Sequence, residues 1–154
     1  MYGPFLHMVQ YNIDPDWEDS FNEWYNIHAL HVLKTHGYRW CRRYVAIHGD
    51  VRYLTLYMVE TAEAYQQILA HDIQKRLPLM KEDDLAQQMV KGRHHFSSNV
   101  YEQIGGSNLG KPLLTEDHPI FLVVSDGPST DQEAEWNRWY DDVHLPAVLR
   151  DPWR

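Results

Sequence analysis

The chain of 154 residues contains a single cysteine, Cys41. One thiol excludes an intrachain disulfide framework and a cysteine-rich metal site, and it suits a reducing, cytoplasmic setting. Basic residues are also scarce: Lys and Arg number 14 against 22 Asp and Glu, a formal net charge of −8. Phosphate contacts need clustered Lys and Arg, so neither nucleic acid nor anionic lipid is an expected partner. No apolar run approaches the ~20 residues of a membrane span. The N-terminus lacks a basic stretch followed by an apolar one, so no signal peptide is expected. There is no glycine-rich phosphate loop, P-loop or nucleophile elbow.

What is present is aromatic. The chain has 6 Trp, 10 Tyr and 10 His. A length of 154 residues is that of one ordinary domain with a real core. Aromatic enrichment fits an apolar pocket or a subunit interface. Abundant imidazole fits acid–base work or metal ligation.

The beginning of the chain recurs near its end. At a shift of 115 residues Val9 meets Val124, Asp16 meets Asp131, Glu18 meets Glu133, Asn22 meets Asn137, Trp24 meets Trp139 and Tyr25 meets Tyr140. After one inserted residue, His28 meets His144, Val32 meets Val148 and Leu33 meets Leu149. The chain therefore reads as one full unit, residues 1–104, a linker over 105–119, and the opening of a second unit over 120–154.

Period and punctuation place the elements. Residues 5–12 read as a strand. Asp14-Pro15 starts a helix that runs to about Lys34, with Asp14 as cap. Residues 38–48 and 51–60 flank Gly49-Asp50 and read as a β-hairpin. Thr61 caps a helix over 62–76, Pro78 opens a helical stretch to about Val90, and 93–104 is a fourth strand. A strand over 120–126 follows the linker. Thr130 and Glu133 have capping-box spacing ahead of the last helix.

The order β-α-β-β-α-β, then β-α, is the pattern of an α+β, ferredoxin-like split βαβ unit. Its sheet carries helices on one face. In the third strand, Tyr53, Tyr57 and Val59 alternate with Leu54, Leu56 and Met58, so both faces should be buried. A homodimer packing sheet on sheet would cover the second face.

The segment F-N-E-W-Y-N-I-H-A-L-H-V-L-K-T-H-G-Y, with R-R-Y and Y-L-T-L-Y after it, resembles EthD-like members of the dimeric α+β barrel superfamily. The later E-W-N-R-W-Y-D-D-V-H-L-P-A-V-L resembles the same helix-one pattern. The resemblance covers roughly residues 5–60 and 120–150. It implies a pocket between the sheet and the helices of one subunit. It also implies a reaction like those of related cofactor-free polyketide cyclases, lactone isomerases, quinone-forming monooxygenases or haem enzymes. The first copy departs from the pattern: it lacks a residue after Tyr25-Asn26, has Leu30 in place of Pro146, and adds His31 and His36.

Trp17, Phe21, Trp24, His28 and His31 are spaced four, three, four and three apart, one helical face. That face is expected to turn inward and form a pocket floor. His28 or His31 would then be a neutral general base, or His28 a helix lock. Trp24 and Tyr25 read more readily as core, and Asn22 as a partner of a neighbouring loop. On the fourth strand His95, Ser97, Asn99, Tyr101 and Gln103 share one face, as a pocket wall, a dimer interface or a solvated edge. His7 lies interior by pattern between Phe5 and Val9. The resemblance implies a catalytic histidine on strand one, which His7 matches, and another near helix two, for which His71 is a loose match. The expected substrate-binding set is Trp24, Phe21, Tyr53, Tyr57, His95, Asn99 and Tyr101.

Metal could gather at His28, His31, His36, His94 and His95, but no carboxylate–histidine signature accompanies them. The leading expectation is an enzyme without a cofactor. It would act by proton transfer (cyclisation, isomerisation, dehydration or decarboxylation) on a small aromatic, polyketide or lactone-like compound. A haem- or metal-dependent oxygenase and a non-catalytic ligand-binding or dimerisation module are the alternatives. Charge is uneven: residues 34–113 hold eleven bases, among them Arg39, Arg42, Arg43 and Arg52. These are either solvated faces or, at Arg42 and Arg43, an attractor for an acidic substrate.

Overall fold

The computed structural model describes residues 5–35, 37–69, 87, 91–104, 122–124 and 127–150. The chain divides into two units, Met1–Gln103 and Ile104–Arg154. In the first, β1 (Phe5–Ile13), α1 (Glu18–Thr35), β2 (Trp40–Val45), β3 (Tyr53–Val59), the helix α2 (residues 62–69) and β4 (Arg93–Glu102) follow in order. The sheet order is β2-β3-β1-β4 and every neighbouring pair is antiparallel. One helix after β1 and another after β3, with this strand order, is the ferredoxin-like α+β fold.

β1 and β3 are the central strands, and their composition reflects it. Phe5, Val9, Tyr11 and Ile13 join Tyr53, Tyr57 and Val59 in the core beneath the helices. Met8, Leu56 and Met58, which alternate with them, are buried as well. Both faces of β3 are therefore closed, as a strand apolar at every position but Thr55 requires. Against the helix side of the sheet α1 presents Phe21, Tyr25, Ala29 and Val32, all under 9% exposed. Phe21 is fully enclosed, and cutting it to Ala would cost about 3–5 kcal/mol.

Several boundaries differ from the sequence reading for physical reasons. Pro15–Trp17 is a 3-10 turn ahead of α1, and Asp14 makes no side-chain cap. Its backbone serves instead: the Trp17 N–H donates to the Asp14 carbonyl at 2.9 Å, and the Asp14 N–H donates to the Gly92 carbonyl at 3.1 Å. The hairpin loop is longer than expected, because residues 46–52 leave the ladder after Val45 pairs with Tyr53. Thr61 does cap α2, its Oγ1 accepting from the Ala64 N–H at 3.1 Å. The expected helix from Pro78, the end of the 62–76 helix and the 105–119 linker lie outside the described residues, apart from helical residue 87.

β4 carries a bulge where its register on β1 shifts between Gln10 and Asn12. His95 absorbs it with φ +49°, a conformation rare for a residue with a side chain. The Asn12 amide holds this corner together. It donates to the Asp50 carbonyl at 2.9 Å, meets His95 Nδ1 at 3.0 Å, and its oxygen accepts the Arg52 N–H at 2.6 Å.

In the second unit, residues 122–124 are not in a strand, and the rest of the strand expected over 120–126 lies outside the described residues. A helical run follows: α3 (Glu133–Trp139), a π turn (Tyr140–His144) and α4 (Leu145–Arg150). Gln132, not Thr130, is the N-cap, and it makes no side-chain cap bond. The Leu145 N–H reaches back to the Tyr140 carbonyl, an i−5 bond. That π turn accommodates the one residue by which this copy exceeds the first.

Candidate active site

The inward stripe of α1 is rotated from the expected one. Tyr25 (5% exposed), rather than Trp24, faces the sheet. Trp17, Trp24 and His28 are half-buried on the flank, and His31 is exposed. His28 stacks on Trp24, ring centres 4.7 Å apart at 13°. His31 is thus not in a sheltered hollow, and Phe21 is sealed in the core beyond reach of a substrate.

His7 occupies the more developed position. It lies on β1 opposite Tyr57 on one side and Val100 on the other. Its Nδ1 is 2.9 Å from the Tyr38 hydroxyl and its Nε2 is 2.9 Å from the Ser98 hydroxyl. The ring also lies 5.9 Å from that of Tyr38 and 5.6 Å from that of Tyr57, centre to centre. Strand parity explains the grouping. His7, Tyr57 and Ser98 all point to the helix side, and Tyr38 sits two residues before β2 begins. Tyr38 and Tyr57 are buried, His7 is half-buried and Ser98 is exposed. The cluster therefore runs from the core to the surface.

A polar network continues inward. The Tyr57 and Tyr25 hydroxyls are 3.0 Å apart. Arg43 of β2 lays its guanidinium 4.3 Å from the centre of the Tyr25 ring. It donates to Asn22 Oδ1 at 2.8 Å, Asn26 Oδ1 at 2.7 Å and the Tyr11 hydroxyl at 3.2 Å. Its Nε is buried and has no hydrogen-bond partner among the described residues. The Asn22 amide also donates to the Tyr53 hydroxyl at 3.1 Å, which in turn donates to Glu18. Arg43 is thus committed to its own chain rather than offered to an acidic substrate. Asn22 serves β2 and β3 rather than a loop.

Burial sets the protonation states here. It pushes the Tyr11 phenol up to about 12, with the nearby Tyr25 adding and Arg43 opposing. Burial also raises Tyr25 and Tyr57 above the ordinary phenol range. The Cys41 thiol is pushed up to about 11, again by burial. All three phenols therefore remain neutral near pH 7 and can donate hydrogen bonds.

The remaining expected residues fall into two groups. Tyr53 and Tyr57 are buried on the helix side, their hydroxyls bonded within the chain. Asn99 and Tyr101 pair with Met8 and Leu6 and so point to the opposite face, away from His7. His95 is at the bulge with Asn12. The structure thus brings His7 and Tyr57 together, with Tyr25 linking them to Trp24 and His28. It separates them from Asn99 and Tyr101. Sequence reading does not single out Tyr38 or Ser98 and takes Arg43 for a solvated group or substrate attractor rather than a tie between β2 and α1. The signal available for Arg43 was the i, i+4 pair Asn22 and Asn26 on a helix facing a basic strand. His36 and His71 lie outside the described residues.

Both His7 nitrogens face hydroxyls. His94 Nδ1 lies 3.5 Å from an Asp14 oxygen, and His95 meets Asn12. Among the described residues, no three His, Cys, Asp or Glu side chains gather as a metal-ligand set. Among the same residues no helix is long and apolar enough to cross a membrane.

No family model matches the chain, and no curated protein matches it in sequence. Solved structures do. One is a candidate monooxygenase from Shewanella loihica, with 13% identity, TM-score 0.47, covering 69% of this chain and 99% of that one. A DABB-family protein from Mesorhizobium loti has 14% identity and TM-score 0.49, covering 67% and 99%. A protein of the ethyl tert-butyl ether (EthD) family from Bacillus halodurans has 11% identity and TM-score 0.44, covering 65% and 99%. The strand order of this chain is by itself that of the ferredoxin-like fold, the fold also named for the Mesorhizobium loti protein.

Proposed function

We propose that the protein is a small-molecule enzyme that works by proton transfer, with His7 as the general base. The substrate would be a flat aromatic, polyketide or lactone-like compound. The observation behind this reading is the imidazole of His7 held between two hydroxyls, Tyr38 on the buried side and Ser98 on the exposed side.

One tautomer would suit the work. With the proton on Nδ1, His7 donates to the Tyr38 oxygen, and Nε2 accepts from Ser98. A substrate C–H or O–H brought to Ser98 gives its proton to Oγ while Oγ passes its own to Nε2. The resulting imidazolium keeps Nδ1–H on Tyr38. The proton returns by the same route to a second position of the substrate, so cyclisation or isomerisation needs no added reagent. A positioned base of this kind contributes about 10²–10⁴-fold. The buried rings of Tyr38 and Tyr57, centred 5.9 and 5.6 Å from that of His7, pack against the base. The assembly belonging to this reading is a homodimer, and light scattering on the purified chain measures it.

The test is turnover of a panel of aromatic enol lactones and aromatic β-keto compounds, followed by absorbance and by deuterium uptake from D₂O. His7→Gln should lose at least a hundredfold and Ser98→Ala tenfold or more, while His31→Gln stays near the parent. Loss in His28→Gln or His31→Gln with His7→Gln unaffected would move the base to α1.

A further inference from the structure

The two copies of the repeat share more than residue identities. In α1, the rings of residues 21, 24, 25 and 28 make five mutual contacts, and all five recur among residues 136, 139, 140 and 144. Trp24 on His28 is 4.7 Å at 13°; Trp139 on His144 is 5.0 Å at 26°. The first pair is four residues apart and the second five, and the π turn makes the difference good. The extra residue is absorbed without turning the ring cluster out of line.

The surroundings differ. In the first unit the face is closed, with Phe21 0% and Tyr25 5% exposed. In the second, Trp136, the counterpart of Phe21, is 41% exposed, and Tyr140, the counterpart of Tyr25, is half-buried. The polar pair that flanks the face is repeated too. Asn22 and Asn26, which Arg43 reads at 2.8 and 2.7 Å, correspond to Asn137 and Asp141. The second copy thus offers a carboxylate where the first offers an amide.

We propose that the helical run Glu133–Arg150 is a docking surface for a partner β-sheet of the ferredoxin-like kind. That sheet would cover the Trp136, Trp139 and Tyr140 rings with an aromatic face. It would carry an arginine on the neighbouring strand, paired with Asn137 and Asp141. In the first unit that place on the sheet is held by α1. Charge supports the match: Glu133, Glu135, Asp141 and Asp142 make this run acidic, with Arg138 and Arg150 as its bases.

The sheet of the first unit, which has this chemistry, serves as the probe. In the full chain, residues 18–34 are replaced by the sequence of 133–150, and folding is followed by urea titration with tryptophan fluorescence. The graft should unfold cooperatively, and Arg43→Met should lower its folding constant at least tenfold more than in the parent, with the excess shrinking in high salt. A graft that does not fold overturns the proposal, and so does one indifferent to Arg43. A parent carrying only an aspartate inserted after Asn26 shows whether such a failure comes from the extra residue or from the face, and the proposal falls in either case.

Discussion

Replacing Arg43 by Met tests the packing account most severely, because one side chain ties β2 to α1 and to β1. The guanidinium bonds to Asn26 at 2.7 Å, Asn22 at 2.8 Å and Tyr11 at 3.2 Å, and covers the Tyr25 ring at 4.3 Å. These do not weigh equally. Asn26 is exposed and regains water, so its bond contributes little. Tyr11 is 0% exposed, and its hydroxyl would lose the Arg43 donor, at about 1–3 kcal/mol. The half-buried Asn22 bond adds about 1 kcal/mol and the lost cation–π contact about 1–2 kcal/mol. Against this, a half-buried cation whose Nε has no partner among the described residues is removed, which returns about 1–2 kcal/mol. The net expectation is a loss of about 2–4 kcal/mol in urea unfolding, with the denaturant slope unchanged. Arg43→Met and Tyr11→Phe should be less than additive, since both delete the same bond. A loss under about 0.5 kcal/mol would refute the argument, showing that desolvation of the guanidinium cancels everything it binds.

Three further outcomes are expected. The Glu18 carboxyl is held below its usual range by hydrogen bonds from Tyr53 and then Arg52. Its contribution is therefore fully present above the ordinary carboxylate range and lost as pH falls through the lower folded value. Carboxyl NMR should show Glu18 titrating below the other glutamates in the parent and moving up in Tyr53→Phe; an unmoved value would remove Tyr53 as the cause. Cys41, with its thiol near 11, should react with an aromatic disulfide reagent about a hundredfold more slowly in the native chain than in urea, and equal rates would contradict its burial. At the β4 bulge, His95→Gly should leave the melting temperature unchanged or raise it. His95→Val should cost more than about 1 kcal/mol, and a Val variant as stable as the parent would show that the positive φ there is not a constraint.

The fold was legible because its signals are local. Gly49-Asp50 between two Tyr- and Val-rich runs marks the β2–β3 turn, and Thr61 stands where a cap is needed. The doubly apolar pattern of β3 identifies a strand covered on both faces. The inward face of α1 differs from the spacing reading, which runs through Trp17, Phe21, Trp24, His28 and His31 and leaves Tyr25 off the stripe. Tyr25 is amphipathic: its ring fits the core and its hydroxyl finds Tyr57, which no spacing rule displays. Trp24, the larger residue, lies on the flank and stacks with His28 instead. On β4 the alternation held from Ser97 to Tyr101 and failed at His94 and His95, where a bulge inserts a residue. His7 was visible as an interior strand histidine. Its partners were not, since Tyr38 and Ser98 are 31 and 91 residues away and meet it only through sheet pairing.

The most direct test of the site is imidazole NMR on the chain labelled with ¹⁵N-histidine, titrated with a flat aromatic lactone such as coumarin. The account predicts that both ring nitrogens of His7 shift as the probe fills the space beside Ser98, while those of His31 stay still. Movement of His31 with His7 silent would contradict it.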